Sequence, residues 1–164
     1  MSDTPLVSDD DYFSAKKVID ESREQTFDAL FAEAIGSLAD YSSFHIDKDT
    51  TVAVLPVSVS GEALRANAEY FGERLMMASV KASRWKPVER KDLKILSELE
   101  LSLSGIVDEK QASKVGELLG AELLVVSTLY ERADRFELLM RLLRVSTAEV
   151  LSVSRARIEK ELGL

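Results

Sequence analysis

The sequence predicts an α/β fold of three layers, in which a mixed β-sheet lies between helices on both of its faces. Two apolar, β-branched segments are each followed by a helical pattern, which is typical of parallel strands joined by crossover helices. Three further strands close the chain with connections too short for a parallel crossover, so we expect them to form an antiparallel meander. The middle strand of these three is apolar on both faces, which predicts cover on both sides of the sheet. A long N-terminal helix precedes this arrangement.

Composition favours one folded domain with an appended acidic segment. The chain has 164 residues, of which 46% are hydrophobic, and it contains no Cys, which excludes disulfides, thiolate metal sites and cysteine nucleophiles. Its net charge of −8 belongs to the N-terminal region: residues 1–50 hold 12 acidic and 4 basic residues, whereas the rest hold 17 of each. We therefore divide the chain into an acidic helical segment, residues 1–46, and an α/β domain, residues 47–164.

The first helix is predicted to begin near Asp9, because acidic residues suit the positive end of a helix dipole. Residues 9–11 lack the ligand spacing and the Gly of a calcium loop, so they are interpreted as capping acids. Val18 and Ile19 lie where apolar residues are sparse, and these early turns are expected to project from the domain or to meet a partner. The later turns carry one apolar stripe at helical spacing, formed by Phe27, Leu30, Phe31, Ala34, Ile35 and Leu38.

Two strand and helix units follow. Residues 51–59 read as a buried strand, near whose end Pro56 is expected because it cannot donate to a ladder. Residues 62–82 form the first crossover helix, and residues 85–90 form a second short strand. The buried stripe of the crossover helix is predicted to consist of Leu64, Ala68, Phe71, Leu75, Met76 and Val80. A further helix is predicted from the spacing of Leu93, Leu96, Leu99 and Leu103.

The next helix has clear boundary signals. Asp108 with Gln111 three residues later fits a capping pattern, and Gly120 is the expected left-handed stop. Gly116 inside this helix costs about 1 kcal/mol relative to Ala, so close packing against the sheet is its expected compensation. The three closing strands are predicted at residues 123–132, 136–145 and 150–158. Arg155 and Arg157 on the last one suit a sheet edge.

No residue set carries a recognisable chemistry. His45 is the single histidine and is interpreted as a loop residue, so a histidine triad or a His-rich metal site cannot be built within one chain. No phosphate-binding loop is present. Glu89 and Arg90 at a strand end could form a site, or an ion pair that fixes the following helix. We predict no catalytic residue, no cofactor and no metal, and a hydrolase could not be assigned a nucleophile and base.

The strongest candidate for a docking site is a basic cluster around Trp85, formed by Lys81, Arg84, Lys86, Arg90, Lys91 and Lys94. An exposed Trp beside Arg is a typical interface anchor, but a Trp packed under Lys and Arg stems fits the same pattern. The predicted partner-binding residues are Arg84, Trp85 and Arg90 in the body and Val18, Ile19 and Phe27 on the N-terminal helix. Nucleic acid is not expected as a partner, because the chain is acidic and lacks a basic stripe.

Five segments in a fixed order resemble the CsgG-type envelope lipoproteins. These are residues 52–56, 88–90, 103–108, 116–121 and 141–151, and the likeness extends over about residues 51–158. The family includes the curli secretion pore, activators of penicillin-binding proteins, flagellar assembly lipoproteins and relatives of the TolB N-terminal domain. The resemblance implies a three-layer α/β/α domain. Thr147-Ala148 stands where the family often has Thr-Gly, which bears on the tightness of that turn.

The resemblance also implies a function: a non-enzymatic assembly or scaffolding domain of the periplasm or the outer membrane. Its partners would be other envelope proteins or further copies of itself, and it would reach the membrane only through a lipid anchor. The short connections leave no room for the amphipathic hairpins of a transmembrane pore. The first residues do not form a secretory signal, so either the protein is cytoplasmic or a signal and a lipid-bearing Cys have been removed and Met1 added. The alternative function is a cytoplasmic ligand-binding or nucleic-acid-binding module.

Overall fold

The computed structural model describes residues 9–88 and 108–160, with side chains except those of residues 9–22 and 24. The helices of this part are α1 (Asp9–Asp40), α2 (Arg65–Ala82) and α3 (Glu109–Leu119), and a 3-10 turn (Glu62–Leu64) leads into α2. Its strands are β1 (Thr51–Val54), β2 (Lys86–Pro87), β3 (Leu123–Glu131), β4 (Arg135–Arg144) and β5 (Val150–Glu159). None of the described helices is both long enough and apolar enough to span a membrane.

The strands form one mixed sheet in the order β2-β1-β3-β4-β5. β1 pairs in parallel with β2 and β3, whereas β3, β4 and β5 pair antiparallel. This is the predicted sheet, with two parallel crossovers followed by a meander. Helices α1 and α2 cover one face and α3 packs on the other, so the predicted three-layer α/β/α class is confirmed.

The larger core lies between the sheet and the helices α1 and α2. The predicted stripe of α1 supplies the buried side chains Phe27, Phe31, Ala34, Ile35 and Leu38. The ring of Phe71 on α2 lies 6.3 Å from that of Phe31 and 5.8 Å from that of Phe136 on β4, which ties both helices to the sheet. The second half of α1 therefore shares a core with the α/β body. The boundary between residues 1–46 and 47–164 stays a prediction.

The smaller core lies under α3, and the predicted boundary signals of this helix are confirmed. The side chain of Asp108 accepts a hydrogen bond from the backbone N–H of Gln111, and Gly120 ends the helix at a φ of 68°. A Cβ atom on Gly116 would lie 2.6 Å from Cγ2 of Val145 and 2.9 Å from Cδ1 of Leu124. The expected close packing of this glycine against the sheet is therefore present.

Two elements differ from the prediction. β1 ends at Val54 instead of Val59, and Pro56, which cannot donate to a ladder, follows two residues later. The chain rejoins the sheet only at Ser58, whose N–H donates to the carbonyl of Ser127 at 2.9 Å. β2 is limited to Lys86–Pro87. The rest of its predicted span, Glu89 and Arg90, and the helix predicted from Leu93, Leu96, Leu99 and Leu103 lie outside the described residues.

Candidate docking surface at the C-terminal ends of α1 and α2

Trp85, the proposed centre of the basic cluster, lies in the larger core. Its side chain is 3% exposed, and the indole N–H donates a hydrogen bond of 2.9 Å to Oγ of Ser79 on α2. α2 stops at Ser83, whose φ of 52° turns the chain back toward the sheet and carries Trp85 beneath the helix. Of the two interpretations of Trp85, the structure supports the packed one, because the side chain is buried and is not an exposed anchor. A contribution of Trp85 to partner binding stays a prediction.

Phe27 is also a core residue. Its ring lies 5.9 Å from the rings of both Tyr70 and Phe71, and its side chain is 1% exposed. In this conformation it offers no surface to a partner, and its role in binding stays a prediction. Val18 and Ile19 lie in the first half of α1, where side chains are outside the described part, and Arg90 is outside it altogether.

Arg84 is exposed and links the two helices. Its guanidinium forms an ion pair with the carboxylate of Asp40, the last residue of α1, 44 positions earlier in the chain. Nearby on the same helix pair, Asp28 lies 3.8 Å from the guanidinium of Arg74 and 3.8 Å from the amine of Lys81. Two members of the predicted basic cluster, Lys81 and Arg84, therefore face acids of α1. These partly exposed ion pairs lie across the contact between α1 and α2, which the apolar core joins.

Exposed apolar side chains accompany these charges. Val80 is 54% exposed and Met77, one helical turn earlier, is 44% exposed. Tyr41, which directly follows Asp40, is 79% exposed. We call Tyr41, Met77, Val80, Lys81 and Arg84 the end surface, because they lie toward the C-terminal ends of α1 and α2.

The sequence interpretation missed the apolar part of this surface. Val80 was predicted to be buried and is not, because the buried stripe of α2 runs through Phe71, Leu75, Ala78 and Ser79. A stripe with Ser79 at a buried position is invisible to apolar periodicity. The sequence signal that could have revealed the buried position of Ser79 is Trp85, because a buried indole N–H requires a hydrogen-bond acceptor.

The described residues show no other arrangement with an obvious chemistry. In the described part of the chain, no group of three or more His, Cys, Asp or Glu side chains could hold a metal ion. His45 is exposed in the loop before β1, as predicted. In the same loop, hydrogen bonds from the backbone of Asp49 and from Thr50 lower the pKa of Asp47. The side chain of Asp47 accepts these hydrogen bonds, which stabilise a turn.

Comparison with protein families confirms the resemblance seen in the sequence. Residues 65–133, from the start of α2 to the turn between β3 and β4, match the family described as "Curli production assembly/transport component CsgG". No curated protein sequence is a significant match to this chain.

Solved structures share the fold. The C-terminal domain of LpoB from Salmonella enterica superposes with a TM-score of 0.62 and 14% identity, over 81% of this chain and 98% of that one. The same domain from Escherichia coli gives 0.62 and 17%, with the same coverage. The NMR structure of E. coli LpoB gives 0.63 and 17%, over 79% of this chain and 65% of that one. At these identities the likeness concerns the fold.

Proposed function

We propose that this CsgG-like chain is a non-enzymatic domain of the cell envelope that binds other envelope proteins, or further copies of itself, during assembly. It would act by docking in the periplasm or at the outer membrane, with no bond made or broken, and would reach a membrane only through a lipid anchor. The observation that carries this proposal is the match of residues 65–133 to a family of assembly and transport components. The shared fold with LpoB supports it at the level of architecture.

The end surface is the proposed contact. It includes both apolar and charged side chains near two helix ends, and protein interfaces combine the same two kinds of residue. Arg84 is the sequence-predicted residue that the structure leaves exposed, and Arg is enriched where binding energy concentrates. Trp85 would contribute from beneath, by fixing the segment that follows α2, and Phe27 by packing the middle of α1 against the first half of α2. Arg90, Val18 and Ile19 keep a proposed partner-binding role that rests on the sequence alone.

Site-specific crosslinking tests this surface. A photoreactive phenylalanine at Val80 or Tyr41 should give one common adduct in cells that produce the natural full-length protein. The same residue at Thr147, which is exposed in the β4–β5 turn, serves as the control and should give none. Arg84→Glu should reduce the Val80 adduct while the melting temperature stays within about 5 °C. Equal adducts at Val80 and Thr147, or none at Val80, would contradict the proposed contact.

The native mass tests which kind of partner the chain binds, and cell fractionation tests the proposed location. Light scattering over a concentration series separates the two kinds of partner, since a closed oligomer indicates self-assembly and a monomer indicates a different envelope protein. Fractionation of cells that produce the natural full-length protein should find it in the envelope. A protein found wholly in the cytoplasm would contradict the proposed location.

A further inference from the structure

β5 forms one edge of the sheet, and the described residues leave much of that edge without a strand partner. The loop after α1 covers its beginning, where the N–H of Ser43 donates to the carbonyl of Leu151 at 3.2 Å. Beyond Leu151, within the described part of the chain, no backbone hydrogen bond reaches Val153, Arg155 or Arg157 from outside the β4–β5 pair. An edge of this kind can accept a further strand.

The pairing register shows which backbone groups are available. The N–H of Arg144 on β4 donates to the carbonyl of Glu149, so even-numbered residues of β4 point their backbone groups toward β5. Their partners include Ser154, opposite Met140, and Ala156, opposite Leu138. The alternating residues Val153, Arg155 and Arg157 therefore direct their N–H and C=O groups away from the sheet.

The side chains of these three residues project toward the α3 side and are exposed. Val153 is 60% exposed. Among the described residues, Arg157 forms an ion pair with Glu159 on its own strand, at 2.9 Å between Nε and Oε1, with both side chains about half exposed, and Glu137 lies directly opposite it on β4. Arg155 forms no ion pair of 4.0 Å or less among the described residues, although its positive charge contributes to lowering the pKa of Glu137. Glu137, the nearest acid on β4, accepts a hydrogen bond from Arg135 at 3.0 Å and also lies 3.8 Å from Arg132.

Charge selects the occupant of this edge. If a second copy of the chain paired its own β5 antiparallel across a two-fold axis, the registers that place Arg155 opposite Arg155 or Arg157 of that copy would bring like charges together, which destabilises a strand pair. A strand with carboxylates at alternate positions would instead pair with both guanidinium groups. The edge therefore disfavours those self-paired registers and is complementary to an acidic strand.

We propose that the edge of β5 binds an extended acidic segment of a partner protein, which adds to the sheet beside Val153–Arg157 and places carboxylates against Arg155 and Arg157. This proposal rests on the proposed docking function, but it concerns a surface separate from the end surface. Backbone hydrogen bonds would supply affinity and the two arginines would supply selection for acidic side chains.

NMR titration of the full chain provides the test. The probe is a short peptide in which Glu alternates with Val, and its controls are the same peptide with Gln in place of Glu and the same peptide with N-methylated backbone amides. We expect the Glu peptide, at up to about 1 mM, to shift the amide signals of Val153, Arg155 and Arg157. Weaker binding of the Gln peptide and loss of binding with N-methylation are expected as well. Equal binding of the Glu and Gln peptides, or no shift at β5, would overturn the proposal.

Variants separate this site from the end surface. Arg155→Gln should weaken binding of the Glu peptide by about fivefold, whereas Arg65→Gln, which changes another exposed arginine at the start of α2, should leave it unchanged. Val80→Glu should also leave peptide binding unchanged, so failure of the end surface and failure of the β5 edge give different results. A wild-type dimer that Arg155→Gln alters, seen by light scattering, would show that a second copy occupies the edge and would also overturn the proposal.

Discussion

The indole nitrogen of Trp85 donates a 2.9 Å hydrogen bond to Oγ of Ser79, and both side chains are buried between α2 and the sheet. Ser79 lies on the buried side of α2. The bond therefore fixes the segment that follows α2 against that helix. It also sets the position of Arg84, which lies between the two on the chain and pairs with Asp40. A buried polar pair thus supports the exposed end surface.

Ser79→Ala should lower the free energy of unfolding by about 1–3 kcal/mol, because it leaves a buried N–H without an acceptor. Urea unfolding at neutral pH measures this change. The control is Ser127→Ala on β3: within the described residues, Ser127 is the one buried side chain whose polar atom lacks a partner. Removal of that hydroxyl should be neutral or stabilising. Equal losses in the two variants would mean that the Trp85 bond contributes nothing.

Gly116→Ala should destabilise the chain by about 1–3 kcal/mol, although Ala favours helices, because the new methyl group would overlap Val145 and Leu124. Val145 is β-branched and buried, so it has little freedom to move aside. A double variant with Val145→Ala should lose less than the sum of the two single losses. Additive losses in chemical denaturation would show that the contact between positions 116 and 145 does not carry the effect.

Ala148→Gly should raise the free energy of unfolding by about 0.5–1 kcal/mol, because Ala148 has a φ of 59°, where a side chain is strained. Ser83→Gly, at a φ of 52° after α2, should act in the same direction. Gly120→Ala is the opposite change, at a φ of 68°, and its new Cβ would meet no atom within 4 Å. The expected loss of folding free energy would therefore come from backbone strain alone. A loss of stability in Ala148→Gly would show that the glycine adds more freedom to the unfolded chain than it relieves in the turn.

Stability should fall as the solution is acidified, in part through Glu137. A hydrogen bond from Arg135 holds the pKa of Glu137 below its ordinary value, so the folded chain favours the ionised carboxylate more than the unfolded chain does. Its contribution is present above the pKa of the unfolded state and is lost as pH falls through the folded pKa. Arg135 likewise lowers the pKa of Asp134.

The measurement compares urea unfolding at about pH 7 and about pH 3. We expect the loss on acidification to be smaller in Glu137→Gln than in the wild type. Glu149→Gln, which removes an exposed carboxylate from the β4–β5 turn, should lose as much as the wild type. The same loss of unfolding free energy in all three proteins would show that Glu137 does not contribute to the pH dependence of stability.

Removal of residues 1–46 should prevent stable folding, because Phe27, Phe31, Ile35 and Leu38 complete the larger core. Removal of residues 1–22 alone should leave the unfolding cooperative and the melting temperature within about 5 °C of the wild type. Circular dichroism melts of both truncated chains measure this. Cooperative melting of residues 47–164 would support the predicted domain boundary and would contradict the importance of α1 for the core.

Local signals in the sequence determined the fold class and much of the element order. The cap at Asp108 and the stop at Gly120 are set by backbone chemistry at the two ends of one helix. The short turns between the last three strands required an antiparallel meander. Each of these features depends on neighbours in the chain or on a repeating pattern, which a sequence states directly.

Only the tertiary structure decided which side chains reach the surface. It buried Trp85, exposed Val80 and paired Arg84 with Asp40 across 44 positions. Periodicity identifies the apolar face of a helix, but a residue at the border of that face is buried or exposed according to what packs beside it. That neighbour belongs to a distant part of the chain, and its position is set only when α1, α2 and the sheet pack together.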